Sequence, residues 1–182
     1  MSVTSFSTPI GQCVLDFHAL ARTDLARVHR WLNEPSVSRW YSRHPFSERE
    51  VVVKYAPRIE GREQVRVFVA RVDGQAVGLM QTYRLSDFPR YAALIDAAPG
   101  WAGIDFLIGE PEYRGHGLGA RFVDLFIREK VFASVETDAC IAGPSPGNVA
   151  SIRALERARF KFFRTLKNAG ETEHLMIRRS RD

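Results

Sequence analysis

The sequence is poor in cysteine and lacks long apolar runs. Cys13 and Cys140 are its only cysteines; they lie far apart and neither has the spacing of metal ligands. We therefore predict two buried free thiols and no metal site. No apolar run approaches the roughly 18 residues of a membrane span. Residues 1–11 lack the basic start and apolar stretch of a signal peptide. We expect a cytoplasmic protein without membrane contact.

Long runs of like charge are also missing. The 26 basic and 21 acidic residues leave a net charge of +5, which is a small excess spread along the chain. The longest basic run is Arg178-Arg179. Such a charge would permit nucleic-acid binding, but it suits a polyanionic cofactor equally well. We expect no nucleic-acid partner.

A glycine-rich segment, EPEYRGHGLG at residues 110–119, is the most informative feature present. Residues 101–108 before it are rich in strand formers, and apolar side chains recur at helical spacing in residues 120–132. The glycines are therefore predicted to lie in a strand-to-helix turn. There they can take positive φ and let a ligand approach the backbone, and the first N–H groups of the helix lack helical partners. A phosphate or pyrophosphate fits such a turn.

The spacing of these glycines excludes two better-known phosphate loops. A dinucleotide fingerprint requires G-x-G-x-x-G, and a P-loop requires Lys followed by Ser or Thr after its last glycine. Here the glycines are two apart, and Ala120 follows Gly119. Arg114 and His116 could add side-chain donors to a bound phosphate. The alternative interpretation is a glycine-rich turn that only caps a helix.

The chain is predicted to form one domain at residues 12–182 after a flexible tail at residues 1–11. Its 182 residues show no repeat, and its 45% hydrophobic content is enough for a core. Residues 36–46 and 86–100 are predicted to be connecting loops. The predicted elements are strand 14–20, helices 24–33 and 48–59, strands 65–72, 75–83 and 101–109, helix 120–132, strand 136–142, helix 148–157 and strands 160–166 and 172–178.

Two short motifs support these boundaries. Ser47 and Glu50 form a capping box, which begins a helix. Asp73-Gly74 between two alternating segments is typical of a tight hairpin turn.

The pattern Arg114-x-x-Gly117-x-Gly119 between a strand and a helix resembles the acyl-CoA pyrophosphate loop of the GCN5-related N-acetyltransferases (GNAT). Further segments resemble the aminoglycoside 6′-N-acetyltransferase branch of that superfamily, and the resemblance covers roughly residues 14 to 179. These segments are Trp31–Asn33, Arg39-Trp40, Val77–Tyr83, Gly103–Pro111, Pro144–Asn148 and Ala150–Arg153.

The resemblance implies an α/β (α+β) GNAT fold. Its central sheet is mostly antiparallel and mixed, is splayed at a parallel strand pair and is flanked by helices. The parallel pair would be the strands at residues 101–109 and 136–142, and the thioester would lie between their C-terminal ends.

The same resemblance implies acetyl-CoA as co-substrate and a small-molecule primary amine as acceptor. The best single candidate is an aminoglycoside 6′-amine, which attacks the thioester directly in a ternary complex. The protein would act as a monomer or homodimer. The implied cofactor contacts are Phe106, Leu107, Ile108, Arg114, Gly115, His116, Gly117, Leu118, Gly119, Ala120, Asn148 and Ser151.

Asp105 is the candidate general base. An amine acceptor is a cation near neutral pH, so transfer needs a group that can hold it and take its proton. Asp105 stands within an apolar run just before the loop and matches the proposed base of the branch. The alternative interpretation is a surface-facing carboxylate on an edge strand.

Other site residues are implied in the same way. A backbone N–H at Leu107 or Ile108 would stabilise the developing negative charge on the thioester oxygen. Asn148 would contact the pantetheine arm, cap the following helix, or do both. Trp40, Tyr83 and Trp101 would line the acceptor pocket together with Asp105.

Three departures from the branch leave the acceptor open. Leu155 stands where the branch has a Tyr often named as general acid, and Arg159 replaces a common Gly. Gly143 stands where the branch has an Asp that holds a substrate ammonium. Two alternative functions therefore remain: a siderophore-type lysine or hydroxylysine N-acyltransferase, and a binding module that keeps acyl-CoA affinity without catalysis.

Overall fold

We describe the protein from a computed structural model, which covers residues 4–8, 11–42, 44–168 and 170–181. Its strands are β1 (Thr4–Thr8), β2 (Gly11–Ala19), β3 (Val65–Val72), β4 (Gln75–Arg84), β5 (Trp101–Ile108), β6 (Ala139–Ala142), β7 (Lys161–Asn168) and β8 (Glu171–Arg179). Its α-helices are α1 (Leu25–Asn33), α2 (Pro35–Tyr41), α3 (Glu48–Ile59), α4 (Pro89–Leu94), α5 (Leu118–Phe126) and α6 (Val149–Arg157). A π-helical turn, Ile127–Val131, continues α5.

Within these described residues the strands hydrogen-bond in the order β1-β2-β3-β4-β5-β6-β8-β7. Antiparallel pairing joins β1 to β2, β2 to β3, β6 to β8 and β8 to β7, whereas β5 and β6 run parallel. The parallel register sets Trp101 opposite Ala139 and Gly103 opposite Ile141. Parallel neighbours need a crossover connection, and the segment between β5 and β6 contains α5. The predicted mixed sheet with this parallel pair is confirmed.

The chain divides into two compact units. The first unit consists of Met1–Gln81 and Phe106–Leu118. In it α1 packs against α2 and α3, and α3 packs against β3. The α1 side chains Val28, Trp31 and Leu32 are buried, and their spacing of three to four residues is that of an amphipathic helix.

The second unit consists of Thr82–Asp105 and Gly119–Asp182. All four residues of β6 are buried, as is typical of a strand covered on both faces. One apolar cluster forms much of the core of this unit. Its buried members are Leu85, Ile95, Trp101, Ala139, Ile141, Leu166, Leu175 and Ile177. The prediction of a single domain at residues 12–182 stays a prediction.

The structure confirms several features predicted from short sequence motifs. Ser47 caps α3, and its hydroxyl accepts from the backbone N–H of Glu50. Asp73 and Gly74 join β3 to β4, both with positive φ, as a tight hairpin turn requires. Cys13 and Cys140 are free and buried, as predicted.

Three predicted irregular regions contain regular structure. The segment 1–11, expected to be a flexible tail, includes β1, which pairs with β2 from Thr4 opposite Leu15 to Thr8 opposite Gly11. Its Ser- and Thr-rich sequence has little apolar alternation, so pairing of the backbone rather than a hydrophobic pattern defines this strand. Segments 36–46 and 86–100 contain α2 and α4, both too short for a periodic signal.

The first helix ends at Asn33, as predicted. Pro35 occupies the first turn of α2, where its missing N–H is not needed. Helix α5 begins at Leu118, two residues before the predicted start at Ala120. Gly119 therefore lies in the first turn of the helix and not in the turn before it.

Gly109 provides a test of close packing at the end of β5. A Cβ atom placed on Gly109 would lie 2.1 Å from Cγ of Trp31, and the indole N–H of Trp31 donates to Glu110 at 3.0 Å. Because the ring cannot move without losing that bond, Gly109→Ala is expected to lower the free energy of unfolding by about 1 to 3 kcal/mol. Urea denaturation of the variant measures this loss. In a Trp31→Leu background the same substitution should cost much less, and an equal loss in both backgrounds would contradict the steric explanation.

Candidate active site

Strand β5 carries the candidate catalytic residues in succession. The side chain of Leu107 is buried, whereas Asp105, Phe106 and Ile108 are half-buried. Asp105 therefore keeps partial access to solvent within an otherwise apolar strand, which excludes the fully surface-facing alternative.

The end of β5 is irregular. The backbone N–H groups of Gly109 and Glu110 both donate to the carbonyl oxygen of Val77, at 2.8 and 3.2 Å. Two successive donors on one acceptor are typical of a bulge, which disturbs the hydrogen-bond ladder beside it. This irregularity supports the expectation that an amide at Leu107 or Ile108 faces the thioester oxygen, but that role stays a prediction.

The glycine segment has the backbone conformation that its composition predicts. After a 3₁₀ turn at Pro111–Tyr113, Gly115 and Gly117 take φ of 81° and 74°. Nothing lies within 4 Å of the position that a Cβ on Gly115 would occupy. Gly115 and His116 are exposed. This part of the turn is therefore open to a ligand, and left-handed φ values make glycine the favoured residue.

Leu118 behaves differently from the other residues of the segment. Its side chain is only 1% exposed and belongs to the core. A contact of Leu118 with the cofactor can therefore involve only its backbone, at the N-terminus of α5.

Arg114 fixes the glycine-rich segment through hydrogen bonds to other parts of the protein. Its Nε donates to the carbonyl of Ile108 at 2.9 Å, and its Nη2 donates to that of Gly109 at 2.6 Å. Its Nη1 pairs with the Glu34 carboxylate at 2.8 Å and also donates to the Ser36 hydroxyl. Each guanidinium nitrogen is thus bonded within the protein. The direct phosphate contact predicted for Arg114 stays a prediction, whereas its function in fixing the turn follows from these bonds.

Glu34 joins Arg114 to the start of α2. Its carboxylate accepts from the backbone N–H of Ser36 at 3.1 Å and so caps the helix. Partial burial alone would raise the pKa of Glu34, but hydrogen bonds from Ser36 and the charge of Arg114 lower it below its ordinary value. The carboxylate is therefore held in its charged form.

Glu110 is an anchor that the sequence did not reveal. It is buried and accepts from Nε1 of Trp31 at 3.0 Å and from Nη1 of Arg30 at 2.9 Å. The hydrogen bonds from Arg30 and then Trp31 lower the pKa of Glu110, although burial opposes them. The partners lie far away in the sequence, so no local pattern marks them.

Helix α2 carries two aromatic residues in the first unit, Tyr41 and Trp40. The Tyr41 hydroxyl donates to the carbonyl oxygen of Phe106 at 3.1 Å, which ties α2 to β5. Trp40 is 37% exposed, with the guanidinium of Arg39 over its ring. An exposed indole can contact a ligand, so the predicted acceptor-lining role of Trp40 stays a prediction.

In the second unit Asp105 belongs to a group of polar side chains. Burial raises the pKa of Tyr83 well above its ordinary value, and the nearby charge of Asp105 raises it further. Tyr83 packs edge-on against Phe88 at 5.0 Å and lies against Gly103, where a Cβ would come within 2.4 Å of Cζ. Two of the predicted acceptor residues, Tyr83 and Asp105, are thus brought together.

Tyr91 and Glu173 complete this group, and sequence reasoning missed both. The Tyr91 hydroxyl donates to Oε2 of Glu173 at 2.8 Å. Burial raises the pKa of Glu173, and the charge of Asp105 raises it further, while the bond from Tyr91 opposes them. Tyr91 was not predicted as a site residue because α4 lies in a segment predicted to be a loop.

Trp101 lies in the apolar core of the second unit, against which Tyr83 and Tyr91 also pack. Its side chain is 6% exposed and packs edge-on against Phe163 at 5.7 Å. Its predicted position in the acceptor pocket stays a prediction.

The start of α6 supports one of the two functions considered for Asn148. Oδ1 of Asn148 accepts from the backbone N–H of Ser151 at 3.2 Å, so Asn148 is the N-cap of the helix. Contacts of either residue with the pantetheine arm stay predictions. Leu155 in the same helix is fully buried, so no proton donor stands at that position. Arg159 takes φ of 65°, a conformation that favours the glycine common in the related enzymes.

The described residues contain no group of three or more His, Cys, Asp or Glu side chains placed to hold a metal ion. Over the same part of the chain, no helix is both long and apolar enough to cross a membrane.

The parallel strand pair of the second unit and the glycine turn of the first are each expected of an acetyltransferase. The family model of the acetyltransferase (GNAT) domain matches residues 21–167, so the chain belongs to this family and is an N-acetyltransferase.

The relatives specify this further. The chain is 26% identical over 173 residues to the aminoglycoside N(6′)-acetyltransferase type 1 of Klebsiella pneumoniae, covering 88% of this chain and 86% of that protein. It is 29% identical over 140 residues to the enzyme of the same name from Serratia marcescens, covering 76% and 69%. Among solved structures, aminoglycoside acetyltransferase AAC(6′)-Ib with coenzyme A and kanamycin superposes with a TM-score of 0.76 at 24% identity, covering 92% and 95%. The structural likeness confirms the predicted GNAT fold.

Arg114 generates a prediction about the turn. Arg114→Ala removes every bond of the guanidinium and leaves the carboxylate of Glu34 without that partner. We expect unfolding free energy to fall by about 1 to 3 kcal/mol and acetyl-CoA affinity to fall with it. Thermal unfolding and calorimetric titration with acetyl-CoA measure the two effects.

Two further variants control this experiment. Arg114→Lys keeps the charge but cannot make the forked contacts, so it should behave like Arg114→Ala rather than like wild type. Arg62→Ala removes an arginine with a 64% exposed side chain from the same unit and should change little. Unchanged acetyl-CoA affinity in Arg114→Ala would show that the turn does not need this anchor.

Proposed function

We propose that this N-acetyltransferase acetylates a primary amine of a small cationic molecule, with an aminoglycoside 6′-amine as the best candidate. The observation that carries the proposal is the half-buried Asp105 on β5, grouped with the side chains of Tyr83, Tyr91 and Glu173. Similarity to aminoglycoside 6′-acetyltransferases over most of the chain supports the same acceptor class. The enzyme is proposed to work in the cytoplasm as a monomer or homodimer.

Acetyl-CoA is the co-substrate and supplies the acetyl group as a thioester. The chain's contribution is a turn whose glycines allow close approach and a helix whose first N–H groups lack helical partners. Gly115 and Gly117 have the required positive φ, and the exposed His116 between them can add a donor. These features fit a pyrophosphate.

Asp105 performs the acid–base step. Its carboxylate holds the acceptor ammonium and takes a proton as the amine nitrogen attacks the thioester carbon. The backbone N–H of Leu107 or Ile108 donates to the carbonyl oxygen as it gains negative charge. The C–S bond then breaks, and the sulfur leaves as a thiolate.

Leu155 bears on how the leaving group departs. The branch's Tyr is replaced here by a fully buried apolar side chain, so this position supplies no proton. A thiol of pKa about 8.5 leaves readily as its thiolate, so turnover does not require a general acid. The same substitution favours the second candidate, a module that binds acyl-CoA without transferring the acyl group.

A thiol-release assay separates these functions. Acetyl-CoA is incubated with kanamycin, tobramycin, lysine, spermidine or an N-terminal peptide, and free thiol is measured. Turnover with aminoglycosides is expected. Turnover only with lysine would favour a siderophore-type acyltransferase, and binding of acetyl-CoA without turnover would favour the binding module.

Gly117→Val tests the phosphate turn. Gly117 has φ of 74°, and a β-branched side chain both strains that backbone and blocks the approach of a phosphate. We expect acetyl-CoA binding, measured by calorimetry, to be abolished while the fold remains. Gly61→Val is the matched control, because Gly61 has φ of 70° and open space around it but follows α3. It should lose stability and keep acetyl-CoA affinity; equal affinities in both variants would remove the turn from the site.

Asp105→Asn tests the base. The change keeps the size of the side chain but removes its charge and its capacity to accept the proton. We expect kcat/KM for the acceptor to fall by about 10² to 10⁴-fold while acetyl-CoA affinity is unchanged. Asp96→Asn is the control, since Asp96 is 82% exposed in the same unit. If Asp105→Asn keeps more than about a third of wild-type efficiency, the proton leaves by another group.

A further inference from the structure

The carboxylate of Glu173 occupies space that any side chain at position 143 would need. A Cβ atom placed on Gly143 would lie 2.3 Å from Oε2 of Glu173 and 3.0 Å from Cδ2 of Leu175. The contact of 2.3 Å is shorter than real Cβ contacts, so Glu173 would have to move, whereas the contact with Leu175 would only be tight. Only glycine at position 143 therefore permits this position of Glu173.

Tyr91 fixes the orientation of the same carboxylate. Its hydroxyl donates to Oε2 of Glu173 at 2.8 Å, and both side chains are half-buried in the second unit. A tyrosine–carboxylate bond withdrawn from water restricts the rotamers of the glutamate. The carboxylate is thus held beside Gly143.

The electrostatic surroundings of Glu173 are unfavourable for its charge. Burial raises its pKa most, and the charges of Asp105 and Glu171 raise it further, against the hydrogen bond from Tyr91. The described groups that act on it are thus a hydroxyl and two further carboxylates. Two half-buried carboxylates in one unit, Asp105 and Glu173, are both stabilised by an added cation. For an N-acetyltransferase, the ammonium group of its acceptor is such a cation.

We propose that Glu173 is a specificity-determining residue that binds an ammonium group of the acceptor, in the place that a carboxylate carried by position 143 would otherwise occupy. Tyr91 positions it. The inference rests on the proposed function, because it assigns the acceptor as a cation with an ammonium group within reach of Glu173.

Glu173→Gln is the direct test. Gln keeps the size and can still accept from Tyr91, but it has no charge. We expect KM for kanamycin to rise by about 10- to 100-fold, which corresponds to the loss of one charge-assisted contact. The acetyl-CoA dissociation constant should stay unchanged. Glu171→Gln removes the same charge from an exposed position on the same strand and should change KM for kanamycin little.

The stability of the variant separates binding from a structural function. A carboxyl group whose pKa is raised by folding favours the folded state less as pH rises above its unfolded pKa. Glu173→Gln avoids this penalty, so its melting temperature at pH 7 to 8 is expected to equal or exceed that of wild type. A lower melting temperature together with an unchanged KM would show that Glu173 serves only packing.

An exchange of the two positions tests the steric part of the proposal. Gly143→Asp alone should clash with Glu173 and impair acceptor binding. Glu173→Ala alone should raise KM for kanamycin as Glu173→Gln does. The double variant Gly143→Asp/Glu173→Ala removes the short contact with Glu173, leaves only the tight contact with Leu175, and should recover at least about a third of the affinity lost by Glu173→Ala. No recovery would contradict the claim that the two positions supply one carboxylate to the same place.

The outcomes for this inference and for the proposed function are distinct. If wild type acetylates kanamycin and Glu173→Gln has the same KM, the inference fails and the proposed function stands. If wild type binds and acetylates none of kanamycin, tobramycin, lysine or spermidine, the proposed function fails, and the inference fails with it.

Discussion

The turn that follows β5 is held by two charged side chains that are bonded inside the protein. Arg114 donates to the carbonyl groups of Ile108 and Gly109, and Glu110 accepts from Trp31 and Arg30. With the start of the turn bonded in this way and Leu118 buried at its end, Gly115 and Gly117 between Arg114 and Leu118 can hold positive φ without help from a ligand. A turn that is already in its binding conformation loses less entropy when it binds phosphates. The two charges therefore fix the backbone of the turn that we propose to bind the phosphates of acetyl-CoA.

The second unit contains charged groups in less favourable surroundings. Asp105 and Glu173 are half-buried carboxylates, and the charge of Asp105 raises the pKa of Glu173. Removing such groups from water is unfavourable unless a cation joins them. Binding of an acceptor ammonium beside these groups, as we propose, would lower this cost. Active sites commonly carry such local instability.

The aromatic residues illustrate which features of the candidate site the sequence could predict. Tyr83 and Trp101 were both predicted to line the acceptor pocket. The structure buries Trp101 within the apolar core of the second unit, whereas Tyr83 packs against that core and is influenced by the charge of Asp105. The sequence does not distinguish these positions, since both residues stand in strands with apolar neighbours. Tyr91 was missed because α4 is too short to show a helical period. Its hydroxyl donates to Glu173, which lies far away in the chain, so neighbouring residues do not indicate this bond.

The sequence by itself determined the features that depend on neighbouring residues. These include the capping box of α3, the hairpin at Asp73-Gly74 and the positive φ of Gly115 and Gly117, because backbone sterics and local hydrogen bonds act over a few positions. Tertiary structure alone decided which partners Arg114 and Glu173 have. Glu34 and Arg114 are brought together by folding, as are Gly143 and Glu173, and no local pattern encodes a contact between residues so far apart. Such contacts depend on the packing of whole elements, which only the folded chain specifies.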